Sequence, residues 1–369
     1  MSGVERAAAA VEEFLRSQIR DGAFPGAVYL IAERERVLAA GALGESVREP
    51  EILAASRETL YDLASLTKPL ATALLAVRLQ AGGRLALDDR LDRHLPEWRA
   101  AGDERSEVTL LDLLAHRSGL PAWDPLYLHS TEVAGRIDRL RTIPLVHPPL
   151  QDVNYSCLDY ILLGFALARA GGAPLDHLFR DTVVAPLGGP EILFTPPRET
   201  RRRIAATEHG NERERALAGP AGDGYNEWRR GIIWGEVHDN NAHTLGGVAG
   251  NAGLFGTAGA VHVLATEFLP GGKGLLGAEE RALFGHNFTR GQGQHRAVGF
   301  QLASSPGSSA GPALSPRSFG HTGFTGTSVW IDPDSRRVYV LLTNRVHPRF
   351  HDLDMNAVRR QFHVLAGSV

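Results

Sequence analysis

Ser65 and Lys68 stand three positions apart in the segment Ser65-Leu66-Thr67-Lys68 and together could activate a nucleophile. Residues three apart on a helix share a face, so the hydroxyl and the amine can meet. A serine hydroxyl becomes a good nucleophile when a neighbouring base takes its proton, and a lysine can be that base if burial or nearby positive charge lowers its pKa. The spacing alone equally fits a serine that caps a helix above a solvent-facing lysine.

Pro69 indicates where the helix that carries this pair begins. Proline is tolerated in the first turn of a helix, where its missing N–H costs little. This position predicts that Ser65 lies at the helix N-terminus, where the helix dipole favours developing negative charge.

Two further motifs, Tyr155-Ser156-Cys157 and His321-Thr322-Gly323, follow the Ser65 motif along the chain. In this order the three resemble the Ser-x-x-Lys, Tyr-x-Asn and Lys-Thr-Gly or His-Thr-Gly set of the class C β-lactamase and penicillin-binding superfamily. The stretches 113–121 (LLAHRSGLP) and 185–188 (APLG) are similar to the same superfamily. The resemblance spans about residues 10–365, and the ordered motifs argue against a chance match.

The resemblance implies a catalytic role for four of these residues. Ser65 would attack a carbonyl and form an acyl-enzyme, while Lys68 and Tyr155 would share the general base and acid work. The backbone N–H groups of Ser65 and Phe324 would form the oxyanion hole. His321 would complete the catalytic set.

The chain departs from the β-lactamase pattern at two of these positions. His321 stands where β-lactamases have lysine, and a histidine typically titrates near neutral pH. Cys157 stands where the family usually has an asparagine that binds the substrate amide, and a thiol is a much weaker donor. Both changes favour an esterase or amidase over a β-lactamase. Thr322 and Gly323 would contact substrate, and Gly323 would let it approach the backbone.

A narrower resemblance lies in residues 235–242 and 245–255, which are similar to a subgroup that includes exo-acting N-acetylmuramoyl-L-alanine amidases. It implies that His238, Asp239 and Asn251 line the substrate pocket, and the subgroup often has histidine at the position of Asn251. Neighbouring His and Asp on one loop do not supply three zinc ligands. The glycines do not form a strand–GxGxxG–helix unit. We therefore expect neither a metal nor a cofactor.

Arg345 follows the last predicted strand and is similar in placement to residues that bind a substrate carboxylate in the superfamily. The sequence therefore predicts a serine hydrolase that cleaves a small ester or a muropeptide fragment through a Ser65 acyl-enzyme. Two alternatives remain open: a β-lactamase with weak activity, or a penicillin-binding sensor that becomes acylated without turnover.

The composition is that of a soluble globular protein, with 369 residues, 43% hydrophobic, 22% charged and a formal net charge of −3. Nothing in it points to nucleic acid or to a membrane partner. The N-terminus lacks a basic segment followed by an apolar run, which predicts a cytoplasmic protein. The sequence leaves the oligomeric state open.

The pattern of elements predicts how these residues are positioned. Residues 7–19 show helical spacing, residues 27–32 and 36–42 read as strands, and short strands follow at 297–302, 318–323, 327–331 and 337–343 before a final helix. We expect an α/β (α+β) fold in which an antiparallel sheet, flanked by helices, is built from both termini. Residues 1–60 and 271–369 would form this domain, residues 61–270 an inserted, mainly helical domain, and the active site would lie between them.

Overall fold

The larger sheet is antiparallel and is built from both ends of the chain. The structure, a computed structural model, describes residues 3–101 and 104–369. Within them the seven-stranded sheet has the order β3-β2-β1-β10-β9-β8-β7, and a smaller sheet has the order β4-β6-β5. The strands are β1 (Gly26–Glu33), β2 (Arg36–Val47), β3 (Leu53–Ala54), β4 (Tyr61–Asp62), β5 (Ile192–Phe194), β6 (Leu254–Gly256), β7 (Gln301–Leu302), β8 (Phe319–Thr322), β9 (Ser328–Asp332) and β10 (Arg337–Thr343).

The predicted strands are confirmed except at one place. The predicted strand at 297–302 is wrong for most of its length, since only Gln301–Leu302 pair with β8. Gly299 adopts a φ of +75°, and the Ala297 N–H donates to the Phe300 carbonyl. The backbone therefore turns before β7, because left-handed backbone ends an extended strand.

Helices cover both faces of the larger sheet. They are α1 (Gly3–Arg20), α2 (Leu74–Ala81), α3 (Leu91–His94), α4 (Leu110–Leu114), α5 (Val133–Thr142), α6 (Cys157–Gly171), α7 (Leu175–Phe179), α8 (Glu212–Ala218), α9 (Asn240–His243), α10 (Ala258–Thr266), α11 (Ala278–Leu283) and α12 (Met355–Ala366). Helices α1 and α12 pack on one face, while α10, α2 and α6 share the core on the other. No helix within the described residues has both the length and the apolar character needed to cross a bilayer.

The helix predicted after Ser65 is interrupted in the structure. Ser65 lies in a 3-10 turn (Ala64–Leu66), a π-helical turn (Lys68–Ala73) follows, and only then does α2 begin. Pro69 lies in the first turn of the π segment, as its missing N–H requires. The division into a terminal domain and an inserted helical domain stays a prediction.

Gly250 lets the chain pass tightly against α6 beside the Ser65 segment. A Cβ at Gly250 would overlap the Tyr160 carbonyl oxygen and lie 2.9 Å from the Gly164 N. The Gly250 carbonyl also accepts a 2.7 Å hydrogen bond from the Thr72 hydroxyl. The two atoms that a Cβ at Gly250 would approach belong to the backbone of α6, so they cannot move aside without distorting that helix.

We therefore expect Gly250→Ala to lower the free energy of unfolding by about 1–3 kcal/mol through overpacking. Urea denaturation measures the loss. Gly224→Ala is the control, because no atom lies within 4 Å of a Cβ there. Equal stability of the two variants would contradict the packing argument.

His363, on α12, is fully buried and neutral. Its Nδ1 donates to the Ser309 carbonyl at 2.9 Å, and burial lowers its pKa from 6.5 to about 4. Between these values the unfolded chain binds more protons than the folded one, so stability is lost as the pH falls from 6.5 towards 4.

Between pH 7 and pH 5, we expect the free energy of unfolding of the parent protein to fall by about 2 kcal/mol more than that of His363→Asn. The asparagine keeps a donor near the position of Nδ1 but does not titrate. Urea unfolding at several pH values gives this difference. The exposed His351→Asn should follow the parent curve. An unchanged pH slope in His363→Asn would rule out His363 as a source of acid sensitivity.

Candidate active site

Asp62 fixes a strained turn that presents Ser65. The Asp62 carboxylate accepts the Ala64 N–H at 2.8 Å and the His238 N–H at 2.7 Å. Ala64 has a φ of +46°, a conformation that L-residues adopt at an energetic cost. Strand β4, which ends at Asp62, pairs with β6, so the turn is anchored to the smaller sheet.

Lys68 is fully buried and meets three acceptors. Its Nζ lies 3.0 Å from Ser65 Oγ, 3.1 Å from the Asn251 carbonyl oxygen and 3.5 Å from Cys157 Sγ. An ammonium group has three N–H donors and no acceptor, so the three contacts satisfy its protonated form. The predicted Ser65–Lys68 contact therefore forms, and two other segments of the chain complete it.

Opposing effects act on the pKa of Lys68. Burial is the largest single effect and lowers this pKa, whereas negative charge on Cys157 and on Tyr155 raises it. Together these effects leave the pKa of Lys68 above its usual value. Burial in turn raises the pKa of the Cys157 thiol. The sequence argument relied on a lowered pKa for Lys68, and the structure instead favours a charged amine that stabilises negative charge on its neighbours.

Tyr155 lies between cationic and imidazole side chains, directly before α6. Lys68 Nζ is 5.2 Å from the centroid of its ring, and the Arg296 guanidinium is 5.3 Å from it. The His116 and His321 rings lie 4.6 and 5.8 Å from the Tyr155 ring, centroid to centroid. Tyr155 is thus next to both Lys68 and His321, as the order of the motifs predicts.

His321 is neutral in the folded protein. Burial lowers its pKa well below 6.5, and the charges of Lys68 and Arg296 lower it further. Its Nδ1 donates to the Thr322 carbonyl at 2.8 Å, so Nε2 carries the free lone pair and has no partner within the described residues. The expectation of a histidine that titrates near neutral pH is therefore wrong, because two cations and burial oppose its protonation.

A pocket of about 560 Å³ opens beside Ser65 and is lined by most of the predicted site residues. Its wall includes Ser65, Tyr155, Cys157, His238, Asp239, His321, Thr322, Gly323, Phe324 and Arg345. Arg345 donates through Nε to the Phe324 carbonyl at 2.8 Å. The His238 ring stacks on Phe324 and bonds to Glu208 at 2.7 Å, an interaction that raises the pKa of His238 against the effect of burial.

The loop after β8 is tied to the Ser65 turn. The Thr325 hydroxyl donates to the Asp62 carbonyl at 2.8 Å, and the Thr327 hydroxyl donates to the Leu63 carbonyl at 3.1 Å. These bonds hold Phe324 and Ser65 in the wall of the same pocket. The prediction that their backbone N–H groups form an oxyanion hole stays a prediction.

Gly323 is needed for packing and also lines the pocket. A Cβ there would overlap the Thr327 hydroxyl and lie 2.7 Å from the Leu63 carbonyl oxygen, so the protein itself fills the space on that side. Gly323 is nevertheless part of the pocket wall, and the approach of substrate to its backbone stays a prediction.

Asn251 lies behind the pocket wall instead of lining it. It is 1% exposed, and its backbone carbonyl accepts from Lys68. Its side-chain amide donates to Asp239 at 3.3 Å. Its observed contact with the site therefore runs through the main chain, and substrate binding by its side chain stays a prediction.

Sequence reasoning missed Arg296 and Asp62. Arg296 is 7% exposed, lines the pocket and is held by Gln294 through bonds of 3.2 and 2.6 Å. Neither residue belongs to a recognisable motif, since only the folded chain brings them to Tyr155 and Ser65. Within residues 3–101 and 104–369, no group of three or more His, Cys, Asp or Glu side chains could hold a metal ion.

Solved structures of related shape define the class of fold. EstCE1, described as a hydrolase with promiscuous acyltransferase activity, superposes with a TM-score of 0.75 at 24% identity, covering 98% of this chain and 100% of that one. A class C β-lactamase from Rhodobacter sphaeroides gives 0.71 at 20% identity, covering 97% and 98%. The chain therefore has a class C β-lactamase-like fold, as the sequence motifs predicted.

Sequence comparison shows the family. The family described as Beta-lactamase matches residues 7–363, and the chain belongs to it. A protein of Escherichia coli (strain K12) named "Putative D-alanyl-D-alanine carboxypeptidase" is 32% identical over 370 residues, covering 92% of this chain and 83% of the relative. A protein of the same name from Salmonella agona (strain SL483) is 33% identical over 317 residues, covering 79% and 71%.

We expect Asp62→Asn to lower the free energy of unfolding by about 1–3 kcal/mol, because the amide NH2 would face an N–H donor and leave it unsatisfied. The Ser65 turn should loosen, so labelling of Ser65 by a fluorophosphonate should slow as well. Urea denaturation and mass spectrometry of the adduct measure the two effects. The exposed Asp88→Asn is the control, and wild-type behaviour of Asp62→Asn would refute the role given to Asp62.

Proposed function

We propose that this protein is a serine hydrolase that cleaves an ester or amide bond through an acyl-enzyme on Ser65. The observation that carries the proposal is the 3.0 Å contact between Ser65 Oγ and Lys68 Nζ, because Ser65 lines the same pocket as Tyr155 and His321. The membership of the Beta-lactamase family supports the same chemistry.

In the proposed first step, Lys68 is charged and the Tyr155 oxygen, whose negative charge Lys68 stabilises, is the proton acceptor. Ser65 Oγ bonds to the substrate carbonyl carbon while its proton passes to that oxygen. The charge on the carbonyl oxygen is stabilised by the backbone N–H groups of Ser65 and Phe324. Collapse of the tetrahedral intermediate breaks the bond to the leaving group, and the proton moves from Tyr155 to the departing oxygen or nitrogen. Water then cleaves the acyl-enzyme, which releases the acid and restores Ser65.

The pocket supports a substrate that ends in a carboxylate. Arg345 lines the pocket and can bind an anion through its fork of donors. The name of the 32% identical relative favours a peptide that ends in D-alanine, and a muropeptide fragment fits the same description. A small ester is the rival substrate, because an acyl-enzyme on Ser65 can form from an ester as well as from an amide.

The β-lactamase and sensor alternatives differ from this proposal in deacylation. Cys157, at the position where the family usually has asparagine, is a weaker donor to a substrate amide. We therefore expect slow turnover of a chromogenic cephalosporin compared with a short-chain ester or an acyl-D-alanyl-D-alanine peptide. A stable penicilloyl adduct without turnover of any substrate would instead favour the sensor.

We expect Ser65→Ala, Lys68→Ala and Tyr155→Phe each to lower kcat on the best of these substrates by about 1,000-fold or more, as for other residues that act as a catalytic unit. Steady-state rates on an ester, a peptide and a muropeptide measure the loss, and circular dichroism confirms folding. Ser335→Ala, in an exposed turn, should keep the full rate. Full activity of Ser65→Ala, or a fluorophosphonate adduct on another residue, would overturn the proposal.

A further inference from the structure

Three arginines from three separate elements line one pocket: Arg213 on α8, Arg345 after β10 and Arg359 on α12. Within the described part of the chain, none of their guanidinium groups forms an ion pair with a carboxylate. Arg359 is 4% exposed and Arg345 is partly buried. Buried charge without a counter-charge is costly, and it is retained where a ligand supplies the opposite charge.

Two aromatic rings hold the first two guanidinium groups in place. The Arg345 guanidinium lies 5.1 Å from the Phe324 ring centroid and 5.2 Å from that of Phe350. The Arg213 guanidinium lies 5.0 Å from the Phe350 ring centroid. The two rings stack on each other with an interplanar angle of 9°. Since planar cations bind aromatic faces, the rings position both charges beside Phe324.

Arg359 is the third arginine of the cluster, and it is hydrogen-bonded to the loop that carries Phe324. It donates to the carbonyl oxygens of Gly323 and Thr327 at 3.1 and 3.0 Å and to the Asn356 side-chain oxygen at 2.9 Å, while its buried Nε has no partner. Burial lowers the pKa of Arg359 to about 9, and the charge of Arg345 lowers it further. Burial also lowers the pKa of Arg345, and the charge of Arg213 lowers it further. Arg345 therefore lies close enough to each of the other two guanidinium groups to be repelled by it.

None of the acidic groups near this cluster forms an ion pair with it within the described residues. Glu214 accepts a backbone N–H at 2.8 Å and a tyrosine hydroxyl at 3.3 Å. Asp354 caps α12 and lies 3.5 Å from Arg360, and its charge raises the pKa of Arg359. Asp352 raises the pKa of Arg345 without forming an ion pair with it. One carboxylate from a substrate would pair with a single arginine and leave the other two guanidinium groups without an ion-pair partner.

We propose that the Arg213–Arg345–Arg359 cluster binds a dianionic group, either a pair of carboxylates or a phosphate monoester, as part of the substrate. The assignment of this group to a substrate rests on the proposed function, whereas the anion site itself does not. Each guanidinium can direct donors at an oxygen, and charge-assisted bonds of this kind are the stronger ones. The hydrolase would therefore select acidic peptides or esters over neutral ones.

Calorimetric titration with matched small anions tests the site. Glutarate is a dianion, and glutaramate replaces one of its carboxylates by an amide of similar shape. We expect the protein to bind glutarate at least about tenfold more tightly than glutaramate, a difference of about 1.4 kcal/mol. Inorganic phosphate forms a third arm: tighter binding of phosphate than of glutarate supports a compact dianion, and the reverse supports two carboxylates.

Arg213→Met keeps most of the side-chain volume and should reduce the preference for glutarate over glutaramate to about twofold or less. Arg359→Lys, which keeps the charge but loses the fork, should weaken glutarate binding while preserving folding. Arg215→Met is the matched control, because Arg215 is exposed on the same helix and does not line the pocket. Its affinity for glutarate should not change.

Equal affinity for glutarate and glutaramate, together with weak binding of phosphate, would overturn the anion site. An unchanged preference in Arg213→Met would do the same. The titrations are repeated with Ser65→Ala, which needs no turnover. Retained glutarate binding by Ser65→Ala would show that the anion site does not depend on catalysis. A parent protein that binds glutarate but hydrolyses no ester, peptide or muropeptide would refute the proposed function and leave the anion site standing.

Discussion

The buried amine of Lys68 is the group around which the site is organised. A charged amine with no exposed surface is tolerated only when its donors meet acceptors. The acceptors come from three distant parts of the chain: Ser65 from the turn before α2, Cys157 from the first residue of α6, and the Asn251 carbonyl from the segment before β6. Any shift of these segments would leave the charge of Lys68 unsatisfied.

This requirement explains why the surrounding backbone is packed so tightly. The Asn251 carbonyl reaches Lys68 only because Gly250 lies directly against α6, with the Thr72 hydroxyl on its carbonyl. On the other side of Ser65, Asp62 holds the strained Ala64, and two threonine hydroxyls tie the loop after β8 to the same turn. The strain at Ala64 is thus balanced by buried hydrogen bonds rather than by flexibility.

The sequence predicted the fold and the centre of the site because their signals are local. Ser65 and Lys68 are three residues apart, and β1, β10 and α12 follow simple hydrophobic periodicity. The strand predicted at 297–302 begins only at Gln301, because the backbone turns at Gly299, which packs against Pro69 and Ala73; no local pattern records this contact.

Positions set by long-range contacts were beyond sequence reasoning. Arg296 reaches Tyr155 across the fold, and Asn251 contacts Lys68 through its main chain, where the identity of the side chain carries no signal. The neutral state of His321 depends equally on distant charges, since Lys68 and Arg296 oppose its protonation. Residue type alone cannot give a pKa that neighbours decide.

The neutrality of His321 also determines where the pocket can bind an anion. A lysine at this position would add a cation beside Lys68 and Arg296, both of which lie near Tyr155. Three unpaired cations around one phenol would repel one another at close range. With histidine, the arginines that line the pocket are Arg296, beside Tyr155, and the Arg213–Arg345–Arg359 cluster, beside Phe324. In the proposed reaction, the anionic group of a substrate would therefore be bound by these arginines rather than by the residue at position 321.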